Sequence, residues 1–125
     1  MQANAGRITT HVLDTSKGAP AAGVRIELYF IKWSGNEWNA LKVAESLTNS
    51  DGRLDAPLLD EGKLEVGEYE LLFDVKPYFA QQVQTDMSHV LWTEVPIRFA
   101  VRDTKSHYHI PLLIAPGGYS TYRGS

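Results

Sequence analysis

The sequence predicts an all-β protein, an antiparallel β-sandwich of seven to eight strands with one short helix. Three observations predict it. Short stretches alternate apolar and polar side chains, those stretches are rich in β-branched and aromatic residues, and clusters of Gly, Pro, Asn, Asp and Ser separate them.

Taken in order, residues 7–14 (RITTHVLD) read as a first strand, with Ile8, Thr10 and Val12 on one face and Thr9, His11 and Leu13 on the other. The turn-rich TSKGAPAAG leads into residues 24–33 (VRIELYFIKW), the clearest strand. Val24, Ile26, Leu28 and Phe30 point one way, and Arg25, Glu27 and Tyr29 the other. SGNE is a hairpin signal, and residues 38–49 return as the partner strand. NSDG (49–52) is a strong turn, because Asn, Asp and Gly tolerate positive φ, and it delivers Arg53 to the start of the next segment. Residues 67–75 (GEYELLFDV) form a further strand. KPYFAQQVQTD (76–86) is the one convincing helix candidate, with Pro77 suited to its first turn. Residues 94–103 read as a strand whose Pro96 belongs near its start or on a sheet edge. Residues 106–116 and 118–124 finish the chain as two more strands, with Pro111 pointing to an edge or a bulge.

A chain of 125 residues with 43% hydrophobic and 22% charged residues is expected to form one domain, residues 1–125, with residues 1–6 a candidate flexible lead-in. The net charge of -3 argues against nucleic acid as a partner, since phosphate binding needs a basic face. No cysteine is present, so neither a disulfide framework nor a thiolate zinc site can form, which fits a reducing compartment. The N-terminus lacks the apolar core of a secretory signal, and no apolar run approaches the roughly 20 residues of a membrane helix. The expectation is a cytoplasmic protein without membrane contact.

His107 and His109 stand two apart on one strand, so their side chains leave the same face, about 6–7 Å apart along the strand. Such a pair could do acid–base work, bind a metal, or be a mildly polar sheet surface. Zinc normally takes three or four protein ligands, so two histidines alone make an incomplete site. His11 is by itself a half-exposed strand histidine, and His89 reads as solvated. Arg53 follows a tight turn that holds the base of its side chain, so its fork of donors could hold a carboxylate or a planar amide; an ordinary surface arginine is the alternative. No GxSxG elbow, GxGxxG or phosphate-binding Walker loop occurs, and DEGKLE (60–65) reads as a solvated loop.

Three segments resemble the transthyretin-like family: THVLDTSKGAPAAGV (10–24), TNSDGRLDAPLL (48–59) and HYHIPLLIAPGGYSTYRGS (107–125). The first alone would mark only the superfamily, which includes hormone carriers. His11 in place of the carriers' lysine, the His-Tyr-His before Pro111 and the closing YRGS resemble the enzyme branch, the 5-hydroxyisourate hydrolases. The connection through KWSGNEWNALK is a few residues longer than in some members.

The resemblance implies a homotetramer, a dimer of dimers, with active sites in a channel between dimers and the C-terminal tail forming part of the channel wall. It implies hydrolytic ring opening of 5-hydroxyisourate, without cofactor or metal. The implied catalytic set is His11, His109, Arg53 and Ser125, with Tyr122, Arg123 and Gly124 also against the substrate and His107 lining the channel. Histidine suits the proton transfer because its unperturbed pKa, about 6.5, lies near the operating pH. His11 and His109 are expected to converge from two non-adjacent strands and hold the attacking water. One would serve as base, with the Ser125 hydroxyl or terminal carboxylate as a relay. Arg53 would stabilise charge on the substrate oxygens, and Tyr122 would bond the planar ring. Three readings compete: a carrier binding small aromatic ligands in the same channel, a structural β-sandwich module, and a zinc site on His107 and His109.

Overall fold

The computed structural model describes residues 6–60, 62–82 and 86–125. Residues 1–5 of the candidate lead-in and 83–85 of the expected helix lie outside them. Gly6 is buried, and its amide donates to the Thr104 carbonyl at 2.9 Å.

Along the chain run β1 (Arg7–Thr9), β2 (Val12–Asp14), β3 (Ala19–Pro20), β4 (Arg25–Ser34), β5 (Glu37–Leu47), β6 (Gly67–Asp74), α1 (Lys76–Ala80), β7 (Glu94–Val101), β8 (His107–His109), β9 (Leu112–Ala115) and β10 (Gly118–Thr121). They form two facing layers. One is the antiparallel sheet β5-β4-β6-β7; the other is β10-β9-β2-β3, which β1 and β8 extend. The alternating apolar residues of each layer meet in one core: Ile8, Val12, Leu112 and Ile114 from one side, and Ile26, Leu28, Leu71 and Phe73 from the other. All are at most 1% exposed. Burying each such side chain is worth about 1.5–3 kcal/mol, so the period-two pattern largely sets the sandwich.

The all-β sandwich with one short helix is as the sequence predicts, and three details differ. The expected strands 7–14 and 106–116 are each interrupted, at Thr10–His11 and Ile110–Pro111, and they pair in parallel. Arg7 lies opposite His107, Thr9 opposite His109 and Val12 opposite Leu112, so one register runs through both interruptions. The amides of Ile110 and Leu112 carry the ladder across, donating to the carbonyls of Thr9 (3.0 Å) and His11 (2.8 Å). A parallel pair needs a long crossover, and here the whole opposite sheet is that connection. The strands bearing His11 and His109, though far apart in the chain, are thus neighbours in one sheet. Pro111 therefore sits at an interruption of an interior strand, not at an edge. It has no N–H to give the tail, and its carbonyl accepts from the Thr121 hydroxyl at 2.6 Å.

The helix is shorter than 76–86. It ends at Ala80, with the Gln81 amide turning back to the carbonyls of Pro77 and Tyr78. Tyr78 and Phe79 are buried, whereas the following AQQ offers nothing to the core at helical spacing. A separate 3₁₀ turn covers Met87–His89. Pro96 lies on β7, which among the described residues pairs with β6 alone and is an edge strand. The hairpin between β4 and β5 closes through the two-residue loop Gly35–Asn36, with Gly35 at φ 72°.

Candidate active site

The outer face of the second sheet carries the site, because alternation that buries Ile8 and Val12 must turn Thr9 and His11 outward. The same rule turns His107 and His109 outward while Tyr108 and Ile110 enter the core. The parallel register then sets these side chains side by side. Thr9 Oγ1 lies 2.6 Å from His107 Nε2 and 2.7 Å from His109 Nδ1. His109 Nε2 lies 3.0 Å from His11 Nδ1. Four side chains thus form one hydrogen-bonded row, His107–Thr9–His109–His11.

Arg53 reaches this face through the turn before it. The Asn49 carboxamide oxygen accepts from the amides of Asp51 (2.8 Å) and Arg53 (3.2 Å), and the Asn49 amide donates to the Arg53 carbonyl at 2.8 Å. Gly52 holds φ 72°, and its carbonyl accepts from Val12 N at 2.8 Å. A β-carbon on Gly52 would collide with the Val12 carbonyl oxygen, so glycine is required on two counts. The result is an isolated antiparallel bridge between His11 and Arg53.

The C-terminal tail closes the opposite flank. Gly124 bridges His109, its amide donating to the His109 carbonyl at 2.7 Å. The Arg123 guanidinium stacks over the Tyr108 ring, 4.6 Å from its centroid, and reaches the His107 carbonyl at 3.4 Å. Ser125 lines a cavity of about 310 Å³ together with Arg7, Thr9, Arg53, His107 and His109. That volume lies at the small end of ligand sites, about 300–1,000 Å³, and suits a small molecule. His11 joins this group through His109 and through its bridge to Arg53. Tyr122, 55% exposed, lines a separate groove with Phe99, Tyr108 and Arg123, between β7 and the tail.

Burial and positive neighbours act in the same direction on the three histidines. His109 is pushed down to about 4, first by burial and then by the positive charge of His11, His107 and Arg53. His11 is lowered by burial and Arg53, and His107 by burial, Arg7 and Arg123. All three imidazoles are therefore neutral near pH 7, each with one ring N–H and one basic nitrogen.

His11, His109, Arg53, His107, Gly124 and Ser125 gather on this face. Arg123 contributes through the backbone of His107, and Tyr122 stands apart from the histidines. His89 is exposed and pairs with Asp86 at 3.3 Å. Among the described residues no three His, Asp or Glu side chains are grouped to hold a metal ion, and both ring nitrogens of His109 are engaged by Thr9 and His11. Thr9 is the residue that sequence reasoning missed. The available signal was its place on the His11 face, but a threonine on a strand is commonplace.

A model of the HIUase/Transthyretin family matches residues 8–124. A 5-hydroxyisourate hydrolase of Halalkalibacterium halodurans is 52% identical over 120 residues, 96% of this chain and 98% of that protein. The structure of the Klebsiella pneumoniae 5-hydroxyisourate hydrolase is 35% identical with a TM-score of 0.75, covering 96% of this chain and 99% of that one. Sea bream transthyretin, solved in complex with thyroxine, superposes with a TM-score of 0.79 at 25% identity, covering 94% of each chain.

Proposed function

The chain belongs to the HIUase/Transthyretin family, and from that premise we propose that it is the hydrolase of 5-hydroxyisourate, opening the ring to 2-oxo-4-hydroxy-4-carboxy-5-ureidoimidazoline. The observation that carries this reading is the His11–His109 hydrogen bond beside Arg53, a pair of neutral bases next to a cation on a held backbone.

His11 is the general base. Its Nδ1 is held by His109, which leaves Nε2 as the ring nitrogen without a hydrogen-bond partner among the described residues. Nε2 takes a proton from water, and the water oxygen adds to a ring carbonyl carbon. The carbonyl electron pair moves to its oxygen, where the Arg53 guanidinium stabilises the charge, a role worth about 3–4 kcal/mol of barrier. Collapse breaks the C–N bond, and the departing nitrogen recovers a proton from His11. His109 holds the His11 ring in place. Ser125 bounds the cavity, which supports a role in bonding the substrate.

The assembly in this reading is a homotetramer, a dimer of dimers. The unpaired edges of β7 and β10 support it, as does the partly apolar groove between β7 and the tail, lined by Ile97, Phe99, Ile110 and Tyr122. The histidine row lies on an open sheet face, which a second pair of chains would close into a channel. Sedimentation is expected to give four chains; a monomer at working concentration would remove the channel.

The deciding test is the ultraviolet decay of freshly made 5-hydroxyisourate, with and without the protein, against its spontaneous decay. The expected result is acceleration that His11→Ala lowers by about two to four decades. No acceleration by the folded protein would move the ligand-carrier reading to the front.

A further inference from the structure

Thr9 is the joint of the histidine row. Its single hydroxyl touches two imidazoles on the neighbouring strand, at 2.6 Å and 2.7 Å, distances typical of strong O–H···N or N–H···O bonds. We propose that Thr9 is a positioning residue for the hydrolysis: its hydroxyl ties the tautomer of His109 to that of His107 and passes protons between the part-buried His11–His109 pair and His107. The inference rests on the hydrolase reading for its chemistry, but its geometry stands independently.

The proton count permits only a directional row. A hydroxyl has one proton to give, so when Thr9 donates to one histidine the other is best placed to donate to Thr9. With His109 neutral, two arrangements follow. In the first, His11 Nδ1–H donates to His109 Nε2, His109 Nδ1–H donates to Thr9, and the Thr9 hydroxyl donates to His107 Nε2. His11 Nε2 then carries a lone pair and is a base. In the second, every bond is reversed: His107 Nε2–H donates to Thr9, Thr9 to His109 Nδ1, and His109 Nε2–H to His11 Nδ1. His11 Nε2 then carries a proton and is an acid.

Moving between them balances. A proton taken from water at His11 Nε2 displaces the Nδ1 proton to His109, and the His109 Nδ1 proton moves to Thr9. The Thr9 proton moves to His107 Nε2, and His107 loses its Nδ1 proton to solvent. No atom but hydrogen moves and no charge stays in the row. The reverse passage supplies the proton that the departing nitrogen needs. His107 is the exposed end and His109 and His11 are part-buried, so the row runs outward to His107, which itself lines the cavity.

The surroundings favour passage over storage. Arg7, Arg53 and Arg123 face the row from β1, the 49–53 turn and the tail, and they oppose a resident imidazolium. Asp55 also lines the cavity, with its carboxylate on the Asn49 amide group at 2.9 Å.

Thr9→Val keeps the shape and the strand preference and removes the hydroxyl; Thr9→Ser keeps the hydroxyl. Two readouts are taken on the whole protein. The first is imidazole nitrogen NMR without substrate, which reports the protonated nitrogen of each histidine. The wild type and Thr9→Ser are expected to show His107 and His109 protonated on the same ring nitrogen, and Thr9→Val to lose that match. The second is hydrolysis. Thr9→Val is expected to lose about ten- to a hundredfold in kcat with KM within about threefold, and Thr9→Ser to stay within about threefold of wild type. Thr9→Val with wild-type kcat, or Thr9→Ser as impaired as Thr9→Val, overturns the proposal. An inactive wild type whose His107 and His109 tautomers match overturns the hydrolase reading instead.

Discussion

Gly124 lies against the ring of His109: its amide bonds the His109 carbonyl at 2.7 Å, and a β-carbon on it would come within 2.5 Å of His109 Cδ2. Only a residue without a side chain lets the tail backbone approach the imidazole so closely. Gly124→Ala must therefore shift either the tail or the ring. Because the tail is exposed, the fold should tolerate the change. The expected outcome is a fall in kcat of about a hundredfold with a nearly unchanged melting temperature, since misplacing a catalytic group by about 1 Å costs that much. Kinetics paired with a melting curve checks it.

Arg53 acts on the histidines at a distance as well as on the substrate. Its charge helps lower both His11 and His109. Arg53→Gln should let both rise towards the ordinary histidine value. Protonation removes the base, so the acid limb of the kcat/KM profile is expected to move to higher pH. An unmoved limb, with only the height of the profile reduced, would show that Arg53 acts on the substrate alone.

Stability should follow the same groups. A histidine with a depressed folded pKa binds its proton more readily in the unfolded chain. Stability is therefore complete above about pH 6.5, the unfolded value, and is lost as pH falls towards about 4, where His109 titrates in the fold. The melting temperature is expected to decline through that window. His109→Gln, which removes that histidine's contribution, should decline less.

The turn that delivers Arg53 offers a contrasting variant. Gly52→Ala would place a side chain at φ 72° and against the Val12 carbonyl. A loss of about 1–3 kcal/mol in denaturant unfolding is expected, with activity falling as well because the His11–Arg53 bridge is disturbed.

Much of the sandwich was legible because burial writes a period of two into the chain. Ile8 and Val12, Ile26 and Leu28, Leu71 and Phe73 all declare their inner face locally. Pro77, Pro96 and the Gly35 turn were legible for the same reason: each acts through its own backbone. What could not be read was register. Nothing near Thr9 or near His109 states that they stand opposite one another, or that the pairing is parallel. The three histidines and Arg53 could be named as residues, and a family resemblance was needed to gather them. Thr9 escaped because its role exists only once two distant strands are aligned.

That alignment has a consequence for how the protein comes to life. His11 and His109 are 98 positions apart, and the bridges to Arg53 and Gly124 draw on the middle and the end of the chain. Contacts of such sequence separation form slowly, because the intervening loop entropy is lost before they are made. During synthesis the first strand emerges long before its parallel neighbour, and until then its partners are β3 and the 49–59 segment. Catalytic competence thus arrives as one of the last events of maturation. During refolding, turnover should return no earlier than the slowest tertiary signal, so activity reports on completion of the native topology.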